Sequence, residues 1–472
     1  MARIAFIQNK LGKTDGVSLE IDKWRAVLEG LGHEVFYCAG NDDVPGIHVV
    51  PELSLFHPRI NRVLTNGTVA LDDMSEQELM LEIDELAATI RSRLERFIAE
   101  HEIDLIIPNN LQSVGYNIPA MRSLYELIEA SGIATIAHSH DFWWEDSGEV
   151  SATCDGVREF YERYAPPDLP SVRHVVINRL AHEALLSRKG INATVIPNVF
   201  DFRQAEWKAD AYNADFRERI GLVPNDILLL QATRVMDRKG IEHAVDLAGL
   251  LRTPEYRKRL ESQPLWDGRG FGPENRIVLV CAGYVEQFGI TGDYVSRLRA
   301  RAERAGAELM FVGEIVKHSR GVVDTPVTPG PAGDVEAVAG EKIYSLWDAY
   351  VHADFVTYPS WWEGWGNQLI EAVFARLPVV LYEYPVYKTD LAAAGFDVVS
   401  FGDTLGPLAA DGLTTLPRGR LEQAADQVVT LLHDAAKREQ ITNHNWKVAR
   451  ENFSYEVLAE LVTRLAGDVL EK

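Results

Sequence analysis

Residues Tyr358 to Leu377, YPSWWEGWGNQLIEAVFARL, run from an aromatic start through a Gly-Trp-Gly turn into a helical pattern. From Asn367 onward, Leu369, Ile370, Val373 and Phe374 recur on one helical face. Glu363 therefore belongs to a loop just before a helix, and Glu371, eight positions on, sits one turn inside it. Gly364 and Gly366, flanking Trp365, let the backbone come close to a ligand, and the first helical N–H groups point the same way. The pattern predicts a corner that holds an anion, a diphosphate above all. Either glutamate alone reads equally well as a solvated residue of a strand–turn–helix corner; the whole stretch together points to a ligand.

The flanking residues extend this corner into a β/α series. A strand, Phe355 to Tyr358, precedes it, after a helix from Ser345 to Ala353, and another strand, Pro378 to Tyr382, follows. Upstream, DILLLQAT (Asp226 to Thr233) is a continuous apolar strand whose exit loop, Thr233 to Gly240, carries Arg234, Arg238 and Lys239. Ile277 to Gly283 and Ala307 to Gly313 are two more buried strands, separated by a helix near Tyr294 to Ala305. Residues 317–340, rich in Gly, Pro, Val and acidic side chains, read as an inserted loop. Ser454 caps a last amphipathic helix bearing Leu458, Leu461, Val462, Leu465 and Val469.

The first half repeats the logic. Arg3 to Gln8 is a strand, Asn9 to Gly16 a polar loop, and Ser18 can cap a helix through Gly30, before a second strand at His33 to Gly40. This is the opening of a Rossmann-like unit. Gly12-Lys13-Thr14 is not a phosphate loop, because Ile7 stands where that motif needs its first glycine. Asp15-Gly16 remains, at the mouth of a helix, as a ligand contact or simply a tight turn. Residues 41–74 read as a long connection with a surface strand, and Ser75 with Glu78 as a capping box for a helix with Leu79, Ile83, Leu86, Ile90, Leu94 and Phe97 inside. The strand from Asp104 ends in Asn109 and Asn110, which would lie at the C-terminal edge of the sheet, where ligands of open parallel sheets bind; asparagines also serve turns without any ligand. After a helix near Pro119 to Ser131, the strand Ala134 to Ala137 delivers His138, His140 and Asp141 to the same edge, followed by Trp143 and Trp144. His-x-His at a strand end also opens some metal sites, although no further ligands stand out. Strands at Ser171 to Asn178 and Ala193 to Asn198, with a helix between them, lead to a hinge near Pro197 and Asp201. Two α/β domains follow, 1–197 and 203–453, each Rossmann-like and facing one interdomain cleft.

Composition narrows the partners. With 472 residues and 46% hydrophobic content the chain is a folded protein of more than one core. Its 47 Lys+Arg against 70 Asp+Glu leave a formal charge of −23, which repels nucleic acid and anionic lipid alike. A phosphate must be bound by a few placed cations. No apolar run is long enough to span a bilayer, and MARIAFIQNK lacks a signal-peptide core. Cys38, Cys154 and Cys281 are scattered and odd in number, so a reduced, cytoplasmic home is expected.

SWWEGWGNQLIEA resembles the glutamate-x7-glutamate signature of retaining GT-B glycosyltransferases of family four. TRVMDRKGIE resembles that family's Arg…Lys-Gly loop, VIPNVFD its interdomain linker, and IAHSHDFWW its histidine–aspartate element on the acceptor side. Order and spacing agree along nearly the whole chain; the family's usual Gly-Gly pair in the first loop is here Asp15-Gly16. The resemblance implies a GT-B fold whose last helix, 454–472, crosses back onto the first domain. It implies a hexosyltransferase that moves mannose or glucose from a nucleotide-diphosphate sugar, GDP-mannose or UDP-glucose, to a small soluble hydroxyl acceptor such as a sugar, sugar acid or polyol.

By the same resemblance, Arg234 and Lys239 stabilise the leaving diphosphate with the backbone of Gly364, Trp365, Gly366 and Asn367. Glu363 holds donor-sugar hydroxyls, Glu371 the ribose hydroxyls, and His140 sits at the reacting sugar. Asp15, Gly16, Asn109, Asn110, His140 and Asp141 are the acceptor-side candidates. The chain has no Asp-x-Asp triplet, so no metal or other cofactor is expected. Retention in this family is usually attributed to front-face attack, with the leaving phosphate taking the acceptor proton. Rival readings are a metal-dependent hydrolase built on His138 and His140, and a nucleotide-sugar-binding protein without catalysis. Expected partners are the donor and a small polar acceptor, without nucleic acid or membrane insertion, in a monomer or homodimer.

Overall fold

The computed structural model describes residues 1–470 except 13–15, 42, 44, 146–149, 286–290 and 325–333. Asp15 therefore lies outside the described residues. The chain folds as two compact units, Met1–Val199 with Phe453–Lys472, and Phe200–Asn452. Among the described residues no helix is long and apolar enough to cross a membrane.

The first unit is built on seven parallel strands: β1 (Arg3–Gln8), β2 (Glu34–Ala39), β3 (Ile47–Val49), β4 (Leu105–Pro108), β5 (Ala134–Ser139), β6 (Val172–Val176) and β7 (Ala193–Val195). Their order is β3-β2-β1-β4-β5-β6-β7, so the strand order reverses between β1 and β4. Apolar residues fill both faces, as in a sheet covered by helices on each side. Ala5 and Ile7 pack with helices Glu76–Glu100 and Ile118–Ser131. Ile4 and Phe6 pack with Ile21, Trp24 and Leu28 of helix Gly16–Gly30, and with Leu458, Val462 and Leu465 of the last helix, Tyr455–Leu470. The Ser75–Glu78 capping box is present.

Several local expectations are corrected. The first helix starts at Gly16, so Ser18 is not its cap; it is buried in the first turn. Residues 41–74 are more than a connection: beside β3 they form a single 3-10 turn, Pro51–Leu53, and a helix, Pro58–Thr68. That helix turns Ile60, Val63, Asn66 and Gly67 inward on one face, and Pro58 stands in its first turn. β5 runs two residues past Ala137 and takes in His138.

The second unit repeats the topology. β8 (Ile227–Gln231), β9 (Ile277–Cys281), β10 (Glu308–Phe311), β14 (Phe355–Tyr358), β15 (Val379–Leu381) and β16 (Val399–Ser400) form a parallel sheet of order β10-β9-β8-β14-β15-β16. Its reversal lies between β8 and β14, the place where such sheets bind ligands beyond their strand ends. A small sheet of β11 (Val316–Lys317), β12 (Gly321–Val322) and β13 (Lys342–Ser345) corrects the reading of 317–340 as a plain loop. It is tied down by Tyr212, whose hydroxyl oxygen lies 2.8 Å from the carbonyls of both Gly321 and Ile343 and shares its one proton between them. Arg320 adds ion pairs to Asp210 and Asp348.

Candidate functional site

In the second unit the loops leaving β8 and β14 are bound to each other. The β8 loop ends in a 3-10 turn, Asp237–Lys239, and Gly240 at φ +59°. A Cβ on Gly240 would stand 2.4 Å from the Pro359 carbonyl oxygen, so only glycine allows this approach. The Trp361 backbone N–H donates to the Arg238 carbonyl at 3.1 Å, and its indole N–H to the Asp237 carbonyl at 3.3 Å.

The consequence is a closed ion cluster. Lys239 Nζ lies 2.5 Å from Glu363 Oε1, and Arg238 Nη1 lies 3.2 Å from Glu363 Oε2. Arg238 also donates to the Trp362 carbonyl at 3.0 Å, with its guanidinium 5.5 Å from the Trp362 ring centroid. Lys239 is only 6% exposed. Burial pulls its ammonium down to about 8; Glu363 opposes that shift, and Arg238 and Arg234 add to it. Burial alone would raise the Glu363 carboxyl, but Lys239 and Arg238 hold it below its ordinary range. Two cations thus share one carboxylate, and Arg234 repels Lys239 beside them, an arrangement that an arriving anion relieves.

Gly364, Trp365 and Gly366 form the turn into helix Asn367–Phe374, with Gly366 at the cap position. Trp365 is 5% exposed, so its ring anchors the turn from inside. Glu371 accepts from the buried Tyr350 hydroxyl at 3.0 Å. Behind both loops, buried Thr357 donates to Gln231 at 2.8 Å and Gln231 donates to Thr233 at 2.6 Å, joining β14 to the β8 exit.

In the first unit the sequence-predicted residues also converge, with different roles. Asn110 adopts φ +56°; its side-chain carbonyl accepts the His140 N–H at 2.7 Å and the Asp141 N–H at 3.4 Å. It clamps the turn that carries His140 and Asp141. Asn109 is fully buried; it donates to the Ile107 carbonyl at 3.1 Å, while its Oδ1 has no partner among the described residues. His140 Nε2 is likewise buried and unpartnered, and burial, with Lys23 nearby, drops its pKa to about 3. Its imidazole is therefore neutral at physiological pH. Gly16 has open space where a Cβ would be, so the fold itself does not demand glycine there.

His138 lies between Trp24 and His140, with ring centroids 4.6 and 4.4 Å away. Its pKa is far below normal, first from burial and then from His140. Among the described residues neither histidine belongs to a three-ligand metal set.

Four residues that sequence reasoning left off its site set stand in these clusters. Arg238 had a signal, its place beside Lys239 in the Arg-Lys-Gly turn. Tyr350, Glu20 and Lys23 had none. Lys23 is bonded to buried Glu20 one helical turn away and donates to the Val199 carbonyl at 2.6 Å, a contact that spans distant parts of the chain.

No family model matches the chain. It is 32% identical over 434 residues to the mannosylglucosylglycerate synthase of Petrotoga mobilis, covering 91% of this chain and 93% of that protein. It is 33% identical over 463 residues to the mannosylglucosylglycerate synthase of Thermotoga maritima, covering 98% and 99%. Among solved structures, the sucrose-phosphate synthase of Thermosynechococcus elongatus superposes with a TM-score of 0.59 at 15% identity, covering 100% of both chains, which shows a shared fold.

Proposed function

Since the chain belongs to the GT-B glycosyltransferase family that includes the mannosylglucosylglycerate synthases, we propose that it transfers mannose from a nucleotide-diphosphate mannose to glucosylglycerate. Of the two donors the sequence suggested, the relatives' names favour GDP-mannose over UDP-glucose. Transfer proceeds with retention, without a divalent metal, in the reducing compartment that suits three free cysteines.

The observation that carries this reading is the Arg238–Glu363–Lys239 cluster at the strand ends where the sheet order reverses. A diphosphate brings negative charge to Lys239 and Arg234, and arginine offers it two parallel hydrogen bonds. As Lys239 turns to the phosphate, Glu363 is released to accept hydrogen bonds from donor-sugar hydroxyls. Glu371, steadied by Tyr350, takes the ribose hydroxyls. His140, neutral, hydrogen-bonds the reacting sugar. The bond from the anomeric carbon to the phosphate oxygen breaks, the acceptor oxygen bonds that carbon from the same face, and the acceptor proton passes to the leaving phosphate. Cations fixed where the phosphate charge develops supply the main stabilisation. Among the described residues His138 and His140 belong to no three-ligand set, so nothing there favours the hydrolase reading.

The test is product analysis. Purified protein with GDP-mannose and glucosylglycerate should release GDP and form an α-linked product, at a rate unchanged after prolonged chelation. Transfer only from another donor sugar would end the mannosyl assignment, a β-linked product the assignment of retention, and a metal-restorable loss of rate the metal-independent mechanism.

A pH dependence follows from Lys239. Only its ammonium form attracts the diphosphate, so kcat/KM should fall about tenfold per pH unit above about 8. Lys239→Arg, charged throughout, should lack that limb whatever its absolute rate. Stability moves the other way. The folded pKa lies below the ordinary 10.5, so the unfolded chain holds more protons between about 8 and 10.5, and this group's contribution rises across that window. A flat kcat/KM profile to pH 10 would remove Lys239 from donor binding.

A further inference from the structure

The long helix Glu76–Glu100 ends beside β3, the edge strand of the first sheet. His101 is the helix C-cap, Glu100 its last helical residue, and His48 the middle residue of β3. One ring nitrogen from each histidine and one Glu100 carboxylate oxygen lie within 4.8 Å of one another. The two imidazoles stand against an aromatic wall. His48 is 4.7 Å from the ring of fully buried Phe97, and His101 is 5.1 Å from both Phe97 and Phe36. None of these residues takes part in the clusters described above.

We propose that His48, Glu100 and His101 form a transition-metal site, best suited to Zn2+, that fastens β3 to the end of the long helix. Two imidazoles and a carboxylate are a zinc ligand set, with water in the fourth position. Around a tetrahedral ion with Zn–N bonds of ~2.0–2.1 Å, ligand atoms sit about 3.3 Å apart, so the three side chains need only small rotations to close on it. The position attracts a cation, because a helix C-terminus carries partial negative charge and unsatisfied carbonyls. Glu100 adds a full negative charge. Arg96 opposes a cation here, but Glu100 acts on His48 more strongly than Arg96 does. The site stands independently of the transferase reading.

Chelator-stripped, dialysed full-length protein titrated with ZnCl2 alone should bind about one equivalent with a Kd near 1 µM or tighter, and melt a few degrees higher at saturation. Mg2+, which prefers six oxygen ligands, should bind at least about 100-fold more weakly. His48→Ala should weaken zinc binding about 100-fold and Glu100→Gln about tenfold, with circular dichroism unchanged. The Glu100 change, on an exposed side chain, keeps the test sound should the His48 variant fold poorly. Wild-type protein without saturable zinc binding would overturn the proposal. So would unaltered affinity and stoichiometry in the two variants, which would put the ion elsewhere.

Discussion

Lys239→Ala is expected to lower kcat for sugar transfer by about a thousandfold, worth ~4 kcal/mol of barrier, while the protein stays folded. Lys239 is buried at 2.5 Å from Glu363, so its charge acts in a medium that screens poorly. No solvent ion can stand in for it when the diphosphate leaves. Removing one partner of a buried ion pair commonly costs ~3–5 kcal/mol of stability because the other charge is stranded. Here Arg238, 3.2 Å from the same carboxylate, remains as a partner, so the loss should fall below that range. A melting curve alongside single-turnover kinetics separates the two effects. Lys239→Ala/Glu363→Gln also takes the carboxylate from Arg238, so it should recover neither stability nor activity. Near-normal turnover by Lys239→Ala would take this cation out of the chemistry.

Gly283→Ala is expected to destabilise the second unit by ~2 kcal/mol or more and to weaken donor binding at the same time. The chain leaving β9 stays zipped to the chain leaving β8: the Ala282 N–H donates to the Gln231 carbonyl at 2.9 Å, and the Val235 N–H to the Tyr284 carbonyl at 2.9 Å. Between these bonds a Cβ on Gly283 would fall 1.9 Å from the Thr233 carbonyl oxygen and 2.8 Å from the Arg234 nitrogen. These are backbone atoms with no rotamer to swing aside. A single methyl therefore forces the two exits apart and carries Arg234 with them. The expected readouts are a melting temperature lower by ~4–8 °C and a raised KM for the nucleotide sugar. A variant with wild-type values in both would show that the exits can separate without cost.

Much of the fold was legible because burial on both faces demands continuous apolar strands. DILLLQAT and DLIIPNN could scarcely be anything else, and Ser75 with Glu78 announced the longest helix. Helix Pro58–Thr68 carried a signal that the reading passed over, Pro58 in its first turn and Ile60, Val63 and Leu64 at helical spacing, because Asn66 and Gly67 read as turn residues. The residues of the Arg238–Glu363–Lys239 cluster were readable, though not their pairing, because they sit on two short loops with distinctive turn glycines. The first unit was less so. Asn109 and Asn110 suggested ligand contacts, but one is buried and the other holds the His140 turn, and asparagine's identity does not say which it will do.

The amino-acid order alone determined two β/α series, a glutamate pair spaced across a loop and a helix, and cations set at a strand exit. Those are local facts, because hydrophobic period, capping chemistry and turn residues act over a few positions. Tertiary structure decided that Lys239 and Arg238 close on Glu363, that Tyr350 holds Glu371, and that Lys23, close to His140, reaches the Val199 carbonyl. Most of those contacts join residues far apart in sequence, and the protonation states they produce depend on burial and distance, which only the packed chain defines.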